Sequence, residues 1–423
     1  MTTTIYTADR VLVTEPNVEI IHQGAVVVTD TLIEFVGRAD DVGHLPVAAT
    51  AARIDLGDVT LMPGLIDAHV HLAFDGGPDP AARMQAESDP QQVALMVRSA
   101  RELLSVGVTT ARDLGARGYT DVVVRDAIAN GTIAGPRLLT AGAPLTSTGG
   151  HCWYMGGEAD SLDEVRKMVR LHHKHKVDHI KVMSTGGFMT AGSAPWYPQF
   201  ETEALRIIVD EAHRVGKRVA AHCHGTEGIR RAVAAGVDTL EHCSFVIEGG
   251  ESQFDTAVAD AIAASDSWVS PTINVRARDF DPERFGVRIA GLKAAGARII
   301  TSTDSGIDNT PHFAFPQSLP LYVEFGMTTA EVLRSTTVLA AEALGLAGVT
   351  GQLAAGCEAD LIAVRGNPLD DIAATADLEY VVARGRRFIP DVLPEIPPLP
   401  EGLVPMNKRH SFTQLNHEEP SHV

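Results

Sequence analysis

The chain has 423 residues, with 35 Lys plus Arg against 54 Asp plus Glu and a formal net charge of -19 with His neutral. That balance speaks against a surface built for phosphate backbones or anionic lipids, and a hydrophobic content of 45% speaks against a disordered chain. The start, MTTTIYTADRVLVTEPNVEI, lacks the basic region and apolar core of a secretory signal, and no run of 18 apolar residues suggests a membrane span. The 4 Cys, at positions 152, 223, 243 and 357, have no CxxC spacing, so the expectation is a soluble cytoplasmic protein with reduced thiols.

Residues 1–60 read as short strands (RVLVT, GAVVVTD, LIEFVG) broken by Gly, Asp and Pro. From LMPGLIDAHVHL onward the pattern changes. Strand candidates LIDAHV, VTTARDL, RLLTAG, HIKVMS, VAAHCH, TLEHCS, WVSPTI and RIITSTDSG alternate with helical periods such as PQQVALMVRSARELLSVG, DSLDEVRKMVRLHHKHK, ETEALRIIVDEAHRVG and TEGIRRAVAAG. Eight strands alternating with helices over residues 61–348 predict an α/β chain of the (β/α)8, or TIM-barrel, class. No glycine-rich dinucleotide loop follows the first strand, which argues against a doubly wound sheet. Residues 349–395 return to a period of two and predict, with residues 1–60, a small β-sandwich domain drawn from both chain ends. Residues 396–423 are rich in Pro and polar residues and predict a surface arm.

Polar residues collect at the strand ends. His69 and His71 are two apart on a strand and so share a side. Lys181 ends the fourth strand candidate, His222 the fifth, His242 the sixth and Asp304 the eighth. A barrel brings these ends to one mouth, where imidazoles and a carboxylate suit a divalent transition metal with an open coordination position. The plain alternatives stay open. Lys181 could bury its stem and send its ammonium to water, and Asp304 could orient a metal-bound histidine from behind.

The stretches LMPGLIDAHVHL, GVTTARDLG, GPRLLTAG, DHIKVMSTGG, AAHCHGTEGIRRAVAAGVDTLEHCS, STDSG and GCEADLIAVRGNPLDD occur in an order that resembles the amidohydrolase superfamily. Within it, the resemblance is to imidazolonepropionase-like and Xaa-Pro-dipeptidase-like metal hydrolases. It covers almost everything but the final tail. By that resemblance two divalent ions, most readily Zn2+, are bound: the first by His69, His71 and Asp304, the second by His222 and His242. Lys181 is then N-carboxylated, and its carbamate bridges both. Asp304 is implied as the general base that takes a proton from water and passes it to the leaving amine.

The rim is harder to read. TSTGGHCWYMGGE after the third strand offers His151, which could hydrogen-bond the substrate carbonyl or hold a carboxylate, and Tyr154. His224 lies two residues past His222, and SPTINVRARDF supplies Arg276 and Arg278, guanidinium partners for a substrate carboxylate. His172, His173, His175 and His179 look metal-like in composition, but they precede the fourth strand, on the face away from the mouth, and read as a basic helix end. Glu227, five past His222, reads as a helix-opening carboxylate rather than the acid of a one-metal deaminase. The expected function is hydrolysis of a C–N bond, an amide in a dipeptide or N-acyl amino acid, by a homo-oligomer with no nucleic-acid or membrane partner. A cyclic-amide, carbamate or lactone hydrolase is the alternative, and a catalytically silent scaffold a distant third.

Overall fold

The computed structural model describes residues 2–280, 282–400 and 403. Eight parallel strands form the barrel: Leu65–Val70, Val108–Asp113, Arg137–Leu139, His179–Met183, Arg218–Gly225, Thr239–Val246, Trp268–Ser270 and Arg298–Ile299. The first three pair in sequence, as do the last five. Parallel bridges Leu145 to Val182 and Val70 to Ser305 join the two sets into a ring.

The helices between them follow their sequence signals. In Leu162–Lys174, Ser161 and Glu164 form a capping box, and Val165, Val169 and His172 make the buried stripe. Thr226–Ala235 stops at Gly236 in a left-handed conformation. Among the described residues, no helix is long and apolar enough to cross a membrane.

The third and eighth strands are shorter than the hydrophobic runs suggest. Beyond Ile299, side chains capture the backbone donors that would extend the ladder: the Ser302 N–H goes to the Tyr322 hydroxyl at 2.9 Å and the Thr303 N–H to Asp67 Oδ1 at 3.2 Å. The chain is thereby freed to turn Asp304 toward the barrel axis.

Both chain ends build an auxiliary eight-stranded sheet, as the sequence predicts. Thr60–Pro63 pairs antiparallel with Leu361–Val364 and parallel with Thr3–Val13, which ties the last strands to the first. The run Gly24–Val28 is buried without the alternation of a half-exposed strand. Each of its faces has its own core: Val26 and Val28 pack with Val11, Leu361 and Val382, whereas Ala25 and Val27 pack with Ile5 and Val42. Of the Pro-rich arm at 396–423, residues 401–402 and 404–423 lie outside the described residues.

Candidate metal centre

His69, on the first strand, and His71, just past its end, present Nε2 atoms 3.2 Å apart, and Asp304 Oδ1 is 3.2 Å from each. The main chain fixes this triangle: the Asp304 N–H donates to the His69 carbonyl and the His71 N–H to the Ser305 carbonyl. Asp304 is left-handed, with φ 61°. Gly306, at φ 102°, has no room for a side chain, because a Cβ there would lie 2.2 Å from the His71 carbonyl oxygen.

The partners of the other ring nitrogens decide what this triangle can hold. His69 Nδ1 faces Glu241 Oε2 at 2.8 Å. Burial would raise the Glu241 pKa, but Arg112 and His69 outweigh it and keep the carboxyl ionised. The His69 proton therefore sits on Nδ1, and Nε2 offers a lone pair. Burial also pushes the His71 pKa down, toward the neutral ring. The Nε2 atoms of His69 and His71 and Oδ1 of Asp304 then face one another across edges close to those of a coordination polyhedron with bonds of about 2.0–2.2 Å. A divalent cation at the centre of such a triangle would be within reach of all three atoms.

A second set lies beside it. His222 Nε2 faces the Gly186 carbonyl at 3.0 Å, an acceptor only, so its Nδ1 is the lone-pair atom, 2.8 Å from His242 Nε2. His242 Nδ1 is held by Thr272 Oγ1 at 2.8 Å. The sequence reading left His224 out of this set, but the structure adds it. Its ring stacks on His242 with centroids 4.3 Å apart, and its ligand atom lies within 4.8 Å of those of His222 and His242. His224 Nδ1 also meets Ser244 Oγ at 2.9 Å.

Lys181 comes from the fourth strand and is 1% exposed. Among the described residues its Nζ has no hydrogen-bond partner, and burial lowers its pKa. The snorkelling alternative needs that nitrogen in water, and it is not there. A buried amine without an acceptor is costly, which fits a lysine whose real partner is a bound group.

Sequence reasoning missed what lies beneath. Arg112 and Glu241 are fully buried and joined at 2.8 Å, with Arg112 also donating to the Ala68 carbonyl and to Thr239 Oγ1. Glu241 and His242 are neighbours and would face opposite ways in a regular strand. His242 has φ 68°, and that break in the pleat lets one serve His69 and the other the second set. Opposite charges inside two apolar strand candidates, Arg112 in VTTARDL and Glu241 in TLEHCS, were the available signal. Replacing Arg112 with Met should strand the Glu241 carboxylate and cost about 3–5 kcal/mol of stability, measurable by thermal or urea unfolding of the metal-loaded protein.

Both sets face a cavity of about 170 Å³ whose lining includes His151, Phe74, Phe188, Phe285 and Arg288. His151 Nδ1 meets Thr190 Oγ1 at 3.1 Å, and burial with Lys181 nearby pushes its pKa down to about 3. Gly187 makes room for this ring, since a Cβ there would be 2.3 Å from His151 Nε2. Arg276 also lines the cavity, though its guanidinium donates to the Asn309 and Pro397 carbonyls at 2.7 and 2.6 Å. Tyr154 borders a neighbouring groove with Trp153, and its hydroxyl rests 3.6 Å from Cys152 Sγ. Arg278 pairs with Glu324, and Glu227 with Arg230 and Arg231. His172 is bonded to the Ala143 carbonyl and Tyr119, while His175 stacks on Tyr119, so both have structural partners.

A (β/α)8 barrel with two adjoining metal-binding sets at the strand ends, above a buried lysine, defines a binuclear metal-dependent hydrolase. A model of the amidohydrolase family matches residues 60–387, and the chain belongs to that family. It is 32% identical over 402 residues to ochratoxinase of Aspergillus niger, covering 84% of this chain and 80% of that protein. The crystal structure of A. niger ochratoxinase superposes with a TM-score of 0.77 at 29% identity, covering 92% of this chain and 95% of that one. A Xaa-Pro dipeptidase crystal structure with methionine bound in the active site gives a TM-score of 0.81 at 27% identity, over 92% of this chain and 100% of that one. Imidazolonepropionase of Deinococcus radiodurans is 26% identical over 387 residues, 85% of this chain and 90% of that protein.

Proposed function

We propose that this protein hydrolyses the amide bond of a small dipeptide or N-acyl amino acid. The observation that carries the reading is the Lys181 amine, which has no hydrogen-bond partner among the described residues and is buried beside two clusters of metal-ligating side chains in one pocket. The relatives point the same way, one named for a Xaa-Pro dipeptide and solved with an amino acid in its active site, another named for ochratoxin.

Two divalent ions, zinc in our reading, would supply Lewis acidity toward the scissile carbonyl and toward a water molecule when bound. The chain's own residues do the rest. His69, His71 and Asp304 would hold one ion, and His222 and His242, with His224 alongside, the other. Burial favours the neutral amine of Lys181, the form whose lone pair attacks carbon dioxide. The new N–C bond and loss of one proton leave a carbamate, whose two anionic oxygens suit a position between cations. Asp304 Oδ1 faces His69 and His71, and Oδ2 remains to accept the proton from water and return it to the leaving amine. His151 is neutral in the working pH range. With the Thr190 hydroxyl donating to its Nδ1, its Nε2–H is available to the carbonyl oxygen as negative charge grows there. His224 contacts the substrate from the second set, and Arg276 and Tyr154 act further out on the rim. Four unpaired, buried cysteines support placing this homo-oligomeric enzyme in the cytoplasm.

The test is to assay the metal-loaded protein against a panel of dipeptides and N-acyl amino acids, with released amine as the readout. Turnover that disappears on chelation and returns with zinc is expected. Metal-independent turnover, or none across the panel, would sink the reading.

A further inference from the structure

The loop that follows the fourth barrel strand, residues 184–201, reaches two histidines at the mouth by different chemistry. Its Gly186 carbonyl accepts the Nε2 proton of His222 at 3.0 Å, which leaves Nδ1 of that ring for a metal. Further along, Thr190 Oγ1 lies 3.1 Å from Nδ1 of His151, a residue of the preceding strand's loop. Gln199 ties the two loops together. Its Oε1 accepts from the His151 N–H and from the Thr146 and Ser147 hydroxyls, each at 3.0 Å, while its Nε2 donates to the Met183 and Thr185 carbonyls at 3.1 and 2.8 Å. A Cβ on Gly150 would collide with Gln199 Oε1, so this close approach requires a glycine.

A hydroxyl has one proton to give and two lone pairs. The Cys152 N–H donates to Thr190 Oγ1 at 3.0 Å and occupies one of those lone pairs. The hydroxyl proton has two acceptors within reach, His151 Nδ1 and Cys152 Sγ. Sulfur is the weaker of them, and the Tyr154 hydroxyl already faces it at 3.6 Å. Thr190 and His151 are both buried, so bulk water does not compete for the proton. It therefore goes to the imidazole nitrogen. A neutral ring that accepts at Nδ1 carries its own proton on Nε2. Among the described residues no hydrogen bond reaches His151 Nε2, and the ring lines the cavity. The centroids of the His151 and His222 rings are 4.6 Å apart. An acceptor from the loop frees a lone pair on one ring, and a donor from the same loop frees an N–H on the other.

We propose that Thr190 is a positioning residue for the reaction: its hydroxyl holds His151 as the Nε2–H tautomer, so that the ring meets the substrate carbonyl oxygen as a donor and offers no lone pair to the metal ions. The assignment rests on reading the pocket as an amide-hydrolase site. Gln199 holds the His151 backbone in place, and Thr190 decides which of the two ring nitrogens carries the proton.

Thr190→Val keeps the shape of the side chain and removes the hydroxyl, whereas Thr190→Ser keeps the hydroxyl. The tautomer is read without turnover, by nitrogen NMR of isotope-labelled histidine rings in the zinc-loaded protein, with His151→Gln assigning the His151 signals. The wild type and Thr190→Ser should show His151 protonated on Nε2, and Thr190→Val should move much of the proton to Nδ1. On the amides turned over, Thr190→Val should lower kcat by about 10–100-fold, the scale for losing a group that orients a working histidine. KM should stay within about threefold and zinc content should not change. Thr190→Ser should recover most of kcat, and Thr190→Ala takes the place of the Val variant if that does not fold. A proton on Nδ1 in the wild type overturns the proposal, as does an unchanged tautomer or an unchanged kcat in the Val variant. A fall in kcat that tracks a loss of zinc overturns it too, because Thr190 would then support the metal centre instead. Failure of the hydrolase reading would look different: no amide turned over by the wild type, with the Nε2–H tautomer present and dependent on Thr190.

Discussion

Lys181→Ala should leave a folded barrel that holds well under two ions per chain and turns over at less than about one hundredth of the wild-type rate. Groups that only orient a metal ligand already cost about 10–100-fold when removed, and a carbamate bridging both ions sets a larger loss. The set formed by His222, His242 and His224 should lose its ion first, because it offers no carboxylate, whereas His69 and His71 keep Asp304. Elemental analysis of protein prepared without chelators gives the count. Lys181→Met keeps the stem and the packing, so loss of metal there as well assigns the effect to charge rather than volume. A short organic acid added to the Ala variant should restore part of both metal content and rate. Normal metal content in both variants would mean that the lysine acts as a plain amine.

Asp304→Asn should lower kcat by about 10²–10⁴-fold, the range for removing a general base, with KM much less affected because no substrate-binding group is lost. Burial alone would raise the carboxyl pKa, but His69, His71 and His242 hold it well below its usual range. It is therefore ionised and ready to accept a proton throughout the neutral range, and becomes protonated only as pH falls far below that. The amide of Asn keeps one oxygen toward the His69 and His71 nitrogens, so retained metal with lost turnover is the signature expected. A fall in rate that tracks a loss of ion would make Asp304 a ligand only.

The barrel was legible because alternating strands and helices leave a periodic trace, and its centre because strand ends converge whatever the loops do. His69, His71, His222, His242, Lys181 and Asp304 could each be placed from that rule alone. What stayed hidden depends on departures from regular backbone or on helix rotation. Glu241 is concealed by its neighbour, since strand alternation allows only one of two adjacent residues to face inward, and the left-handed His242 lifts that limit. His224 reads as a loop residue until its ring is seen stacked on His242. Arg288 looks like an ordinary polar position on the helix Pro282–Ala295. Only the packing of that helix over the sixth and seventh strands turns it inward, onto the carbonyls of His242 and Pro271. Arg276 shows the converse: sequence put a guanidinium at the mouth, and the fold employed it on backbone carbonyls.

The pairing of Thr60–Pro63 with Leu361–Val364 sets an order of events during synthesis. The first strand of that pair leaves the ribosome roughly 300 residues before the second, about 15–60 s at ordinary elongation rates. Over that interval one of its ladder edges has no partner, and an unpaired edge is where chains join wrongly to other chains. The barrel residues lie between the two strands in sequence, so they have the whole interval in which to fold. The terminal sheet then closes last, as a clasp on a barrel already built. A nascent chain stalled before residue 361 should therefore be captured by edge-binding chaperones, and one stalled some 60 residues later, with the Leu361–Val364 strand clear of the exit tunnel, should not.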